Sequence, residues 1–145
     1  MRANEDAGSA LVEFVIVAVT LLVPLGYLLM AAATVHSAVT ASTAAVREAG
    51  RAFTLAPSPD VGRAHAVAAA RVAFADQGVD LPEHSLAIRC EGGACLSPGS
   101  VVEVAVDWRL RLPWVPALVD SDRLSIPISA VQRIPVDDFR SSQAA

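Results

Sequence analysis

From Phe14 to Val46 the chain contains no Asp, Glu, Lys or Arg, and this gap in its charge constrains everything else it can fold into. The first twenty residues of the gap, Phe14 to Ala33, are almost wholly apolar. That is about the length at which an α-helix crosses a hydrocarbon core of roughly 30 Å. A helix buried in a soluble core usually keeps a polar stripe, and this run has none. Pro24 and Gly26 are tolerated in membrane helices, where they predict a local kink and not a stop. The sequence therefore predicts a transmembrane segment. Composition agrees: 54% hydrophobic and 18% charged residues in 145 fall outside the usual range for a soluble domain. Besides the anchor, that length leaves room for one small domain. A net charge of −4 argues against a nucleic-acid partner, which usually meets a basic face.

A cleaved secretory signal is the first competitor, because Met30-Ala31-Ala32-Ala33-Thr34 offers a small-residue cleavage site. Two features weigh against it. The apolar run exceeds the usual length of about 7–15 residues, and the segment before it is not basic. Arg2 is outweighed by Glu5 and Asp6, and Glu13 stands where the apolar region begins.

Glu13 is the most informative charge. A carboxylate between Val12 and Phe14 faces desolvation, so it must snorkel, neutralise or find a cation. The plain reading is that it marks the membrane interface. The context is more specific, since Gly8 stands five residues before it, directly ahead of the apolar run.

The stretch Gly8-Ser9-Ala10-Leu11-Val12-Glu13-Phe14, the apolar helix after it and the small-residue stretch Ala44–Ala52 resemble a type IV prepilin-type leader and its helix. The resemblance is closest to the TadE-like proteins of the tight-adherence (Flp) pilus assembly system. It covers about residues 6–55. It implies cleavage by a membrane-embedded prepilin peptidase after Gly8, with Ser9 as the new N-terminus and Glu13 as the signature carboxylate at the fifth mature position. It also implies a pilus assembly platform in the inner membrane and other pilin-like subunits as partners. Phe14 stands where major Flp pilins usually carry tyrosine, and the chain is longer than those pilins. Both point to a minor, pseudopilin-like subunit. The physics is compatible, because an α-ammonium on Ser9 would lie one helical turn from Glu13 and on the same face. The pair would be worth more at a membrane edge than in water.

Beyond the run, Val39, Val46 and Phe53 fall seven apart, as on one helical stripe. Ala38/Ser42 and Ala45/Ala49 are small pairs that permit close approach. A helix from Ser9 to about Ala56 would measure about 70 Å at 1.5 Å per residue. The competing arrangement has a break near His36. Ser58 and Pro59 start a second helix, with Val67, Ala70 and Phe74 as its packing stripe, and Gly78 is placed to end it near Gln77. Arg63 and Arg71 are expected to be solvated. The period then switches to two. Leu86–Glu91 reads as a strand followed by a Gly92–Gly93 turn. Val102, Val104, Val106, Trp108, Leu110 and Leu112 alternate with polar residues in a second. A third runs from about Leu124 to Ile134, with Leu124, Ile126, Ile128 and Ala130 on one face and Pro127 marking an edge or a bulge. Between the last two lies an apolar loop, Pro113–Val119. The expectation is an α+β chain: leader 1–8, membrane and projecting helix 9–56, an outer helix-plus-sheet domain 57–136 and a polar tail 137–145. The sheet is expected on the Phe74 helix or on the later part of the first.

Cys90 and Cys95 flank the glycine turn, and an oxidising compartment beyond the membrane favours a disulfide across that hairpin. Metal binding is poorer, since no second Cys/His pair stands nearby to complete four ligands. His36, His65 and His84 are scattered singly, and neither a phosphate-binding glycine loop nor a nucleophile elbow is present. The sequence thus reads as a structural subunit with no enzymatic role and no cofactor. Its lipid-facing helix is expected in the cytoplasmic membrane and its outer domain beyond it, an orientation resting on the leader resemblance and the cysteines. The alternatives are an uncleaved, membrane-anchored binding domain and a binding protein secreted after cleavage near Ala33.

Overall fold

A computed structural model describes residues 5–112 and 125–138, with side chains from Ala10 onward. The fold is α+β: two helices, α1 (Glu5–Thr54) and α2 (Pro59–Ala75), then strands β1 (Leu86–Glu91), β2 (Val101–Arg111) and β3 (Ser125–Pro135). The chain divides into two compact units, Met1–Thr34 and Val35–Ala145. The expected break near His36 does not occur; α1 is one helix and continues through Pro24. It begins at Glu5, ahead of the expected Ser9, and ends at Thr54, two residues before Ala56.

In the second unit the three strands form an antiparallel sheet in the order β1-β2-β3. Its core face carries Val102, Val104 and Val106, all fully buried, together with Leu110 and Ile128. Ala41, Ala45, Val46, Ala49 and Phe53 from α1 join Ala66, Ala70, Ala73 and Phe74 from α2 in the same cluster, so both helices contribute to the core. Phe74 meets Trp108 edge to face at 5.8 Å between ring centres.

The helical stripes hold at two of three positions each, Val46 and Phe53 on α1 and Ala70 and Phe74 on α2, and the small pairs Ala38/Ser42 and Ala45/Ala49 are buried as well; Val39 and Val67 depart. Val39 is 48% exposed, whereas Ala38 beside it is fully buried against Leu110 and Ile128. In α2 the buried line is Gly62, Ala66, Ala70, Ala73 and Phe74, and Val67 is only half-buried. The reason is close approach. Beside Val46, Phe53 and Phe74, both helices turn their smallest residues inward, which lets their backbones come near their neighbours, and Val39 and Val67 fall on the flanks. Gly50 carries this furthest, because a Cβ there would collide with Cδ1 of Ile134 and touch Val104 Cγ2 at 3.5 Å.

The ends of α2 follow the sequence. Ser58 caps its N-terminus, its Oγ accepting from the Val61 N–H at 3.4 Å with Pro59 in the first turn. The helix ends at Ala75, before the expected Gln77. Gly78 at φ +68° then closes it, with its N–H donating to Ala75 O and the Val79 N–H to Phe74 O, a Schellman closure. Arg63 and Arg71 are exposed. On β3, Ile126, Ile128 and Ala130 share the core-facing side and Pro127 lies on an edge strand in unbroken register, without a bulge. Leu124, Trp114 and the apolar loop 113–119 lie outside the described residues, as do Met1–Asn4 and the tail from Phe139.

Candidate functional site

The functional expectations rest on the first unit, whose described part is residues 5–34. From Leu11 to Met30 the large apolar side chains are exposed, among them Phe14 at 72% and Leu21 and Leu22 near 65%. Among the described residues nothing in this unit covers them. Water would meet a contiguous apolar surface far beyond the few hundred Å² that monomers usually expose. Length and composition make the helix able to cross a membrane. Its hydroxyls suit such a solvent: Thr20 Oγ1 donates to Ile16 O at 2.7 Å and Thr34 Oγ1 to Met30 O at 2.9 Å. Each is satisfied within the helix and presents only methyl and methylene surface outward.

Gly8 and Ser9 lie inside α1, in its second turn from Glu5. Glu13 and Phe14 follow on the next turn and are both exposed. These four expected residues therefore share one short helical stretch, with Ser9 and Glu13 four apart on one face. Scission between Gly8 and Ser9 requires the first turns of α1 to open. That opening is inexpensive, because helix ends fray.

The remaining expected pair, Cys90 and Cys95, belongs to the second unit and forms a disulfide with Cα atoms 5.4 Å apart. Its placement corrects the expectation of a bridge across the hairpin. Cys90 sits near the end of β1, opposite Val102, but Cys95 lies in the connection to β2. The two-glycine turn is in fact the longer segment 92–100, in which Gly92, Gly93, Leu96 and Gly99 all have positive φ. The bridge closes the first half of this loop. The next residue, Leu96, is held at φ +67° with its side chain buried in the core.

Two arrangements in this unit carried no pattern in the sequence. Arg89, Glu103 and Arg133 stand directly opposite one another on three strands. Arg133 Nε donates to Glu103 Oε2 at 2.8 Å, and Glu91 lies 3.7 Å from Arg133 Nη2. The hydrogen bond to Glu103, with the charges of Glu91 and Glu103, raises the Arg133 guanidinium above its usual range. Trp108 bonds to Ser42, a residue singled out in the sequence only for its size.

An open groove of about 520 Å³ runs between α1 and α2, with Ala44, Ala69 and Ala73 among its walls and Glu48 and Asp76 also lining it. It contains no nucleophile or metal set. Among the described residues no three His, Cys, Asp or Glu side chains are grouped to hold a metal, and His36, His65 and His84 are all exposed. No family model, curated protein or solved structure matches the chain.

Proposed function

We propose that the chain is a minor pilin-like or pseudopilin-like structural subunit of a tight-adherence pilus or a related secretion apparatus. The observation that carries this reading is the exposed apolar helix headed by Gly8, Ser9 and Glu13 and leading, within the same α1, to a packed α+β unit. On this reading a prepilin peptidase hydrolyses the Gly8–Ser9 peptide bond, leaving a carboxylate on Gly8 and an ammonium on Ser9. The ammonium and Glu13 then neutralise each other at the membrane edge, within one chain or between neighbours, while the apolar helix packs among lipid and other pilin-like helices. The work is assembly, not catalysis, in the cytoplasmic membrane with the second unit on the outer side. The Cys90–Cys95 disulfide supports that side, because thiols oxidise there and stay reduced in the cytosol.

Glu13→Ala tests the reading in cells that assemble the apparatus. The expected result is a variant that reaches the membrane at normal levels and is lost from the sheared surface fraction. Normal incorporation would rule out the role given to Glu13.

A second reading is favoured by the unit boundary at Thr34–Val35, which falls next to the small-residue site Ala31–Ala33. Cleavage there would release the whole packed unit as a secreted binding protein. A mature chain beginning near Thr34 in the soluble fraction distinguishes it.

A further inference from the structure

We propose that two copies of this chain pair side by side in the membrane through one face of α1, the Tyr27 hydroxyl of each donating to the Thr20 carbonyl of the other. This deepens the anchoring part of the reading above, on which it rests, and is independent of processing at Gly8.

Between Ala10 and Val35 the polar side chains are those of Glu13, Thr20, Tyr27 and Thr34, and each stands seven residues from the next. Seven residues make two turns of an α-helix to within about 20°, so the four lie along one side of α1. Ile16, Val23 and Met30 each follow three residues after a member of this line, and all three are exposed. Seven-residue repeats with a second position three residues on are the spacing of a two-helix seam, in which a few polar residues set the register.

Two polar groups on this line lack a partner within the chain. The Thr20 and Thr34 hydroxyls donate to the Ile16 and Met30 carbonyls, but Tyr27 Oη makes no hydrogen bond among the described residues. Pro24 has no N–H, so the Thr20 carbonyl lacks its donor four residues on. Tyr27 lies six residues, about 9 Å, inside the end of the apolar run at Ala33. Long side chains on a helix lean back toward its N-terminus, which carries this hydroxyl toward the middle of the bilayer and away from the nearer surface. An unpaired hydroxyl and an unpaired carbonyl are both costly in hydrocarbon.

A second copy answers both needs at once. Copies of one chain enter a membrane in one orientation, so their helices lie parallel and at one depth. The Thr20 carbonyl points along the axis toward Pro24, and Tyr27 leans back over the same turn on the same side. The donor of each copy therefore stands level with the acceptor of the other, and a two-fold axis between the helices makes both bonds together. The helix of another chain would have to bring both a free donor and a free acceptor to that depth. Ile16, Val23 and Met30 supply the packing along the seam, while Glu13 stands at the membrane edge, where water reaches it.

Two experiments on the full chain test the pair. In membranes of cells that express it, Ile16→Cys places a thiol on the seam and Ala18→Cys places one on the opposite side of the helix. Copper phenanthroline should link Ile16→Cys into dimers severalfold faster than Ala18→Cys, and equal rates overturn the seam. In phosphatidylcholine vesicles, energy transfer between copies labelled at Ala64→Cys, an exposed position on α2, follows dissociation as lipid dilutes the chain. Tyr27→Phe is expected to weaken pairing about tenfold, the loss of two hydrogen bonds between membrane helices. Pro24→Ala returns an N–H to the Thr20 carbonyl and should weaken pairing similarly, and Tyr27→Phe in that background should cost little more. Unchanged pairing in Tyr27→Phe, losses that simply multiply in the double variant, or no energy transfer at any dilution overturns the proposal. A chain that does not float with the vesicles overturns the anchoring reading itself, so the two failures are distinguishable.

Discussion

The indole Nε1 of Trp108 donates to Oγ of Ser42 at 3.0 Å, joining β2 to α1 across 66 residues of sequence. Ser42 Oγ is fully buried and donates in turn to the Ala38 carbonyl at 2.9 Å, so a single hydroxyl satisfies the indole and completes its own bonding inside the helix. A half-buried indole N–H without a partner is costly, and a serine is the smallest side chain that can serve it at so close a helix–sheet contact.

Ser42→Ala leaves the indole N–H without its acceptor. The expected loss is about 1–3 kcal/mol of unfolding free energy, measured by denaturant titration of the detergent-solubilised chain. Trp108→Phe in the Ser42→Ala background should then cost less than Trp108→Phe alone, because the hydrogen bond is already gone. Additive losses would show that the bond carries no coupling.

Gly50→Ala is expected to destabilise the fold although alanine is the better helix former by about 1 kcal/mol. The new Cβ meets Ile134 Cδ1, and overpacking of this kind costs about 1–3 kcal/mol. Ile134→Val removes that terminal carbon, so the pair Gly50→Ala with Ile134→Val should recover part of the loss. The same titrations decide it.

Opening the Cys90–Cys95 bridge should lower stability by about 2 kcal/mol, the chain-entropy value for a loop of six residues. The consequence is local first: Leu96 loses the constraint that holds it in a left-handed conformation inside the core. Hydrogen exchange at Ser97 and Ser100 with and without reductant should show faster exchange there than at Val104. Uniform change along β2 would contradict this.

The Arg133 pair makes a pH prediction. Its folded-state pKa is raised, so the stabilisation is complete below the ordinary arginine range and is lost only as pH climbs past the folded value. The difference between the wild type and Arg133→Gln should therefore be the same at about pH 7 and about pH 10. Added salt, by contrast, should shrink it, because Arg133 is exposed.

Sequence pattern revealed the elements through the periods of their large residues: the alternation of Val102, Val104, Val106 and Leu110, the Ser58–Pro59 start and the Gly78 stop of α2 all reappear within a few residues. It also placed much of the helical contact: Val46, Phe53, Ala70 and Phe74 on the stripes, and Ala38, Ser42, Ala45 and Ala49 as small pairs, are all buried. It missed that Val39 and Val67 fall outside the contact while Ala41 and Ala66 make it, because no hydropathy pattern distinguishes a buried alanine from an exposed one. Long-range pairings were likewise invisible. Ser42 with Trp108, and Arg89 with Glu103 and Arg133, depend on strand register and on how the sheet meets α1, neither of which is written in local spacing. The N-terminal site is the converse case. Gly8, Ser9 and Glu13 are legible only as a sequence motif, since on the helix they are simply neighbours on successive turns.

The central claim is that the chain is processed at that motif and kept in the membrane by the helix behind it. N-terminal sequencing of the mature protein, recovered separately from membrane and soluble fractions of cells that carry a prepilin peptidase, tests it most directly. The account predicts Ser9 as the first residue, in the membrane fraction. Met1 in the membrane fraction, or a start near Thr34 in the soluble fraction, would contradict it.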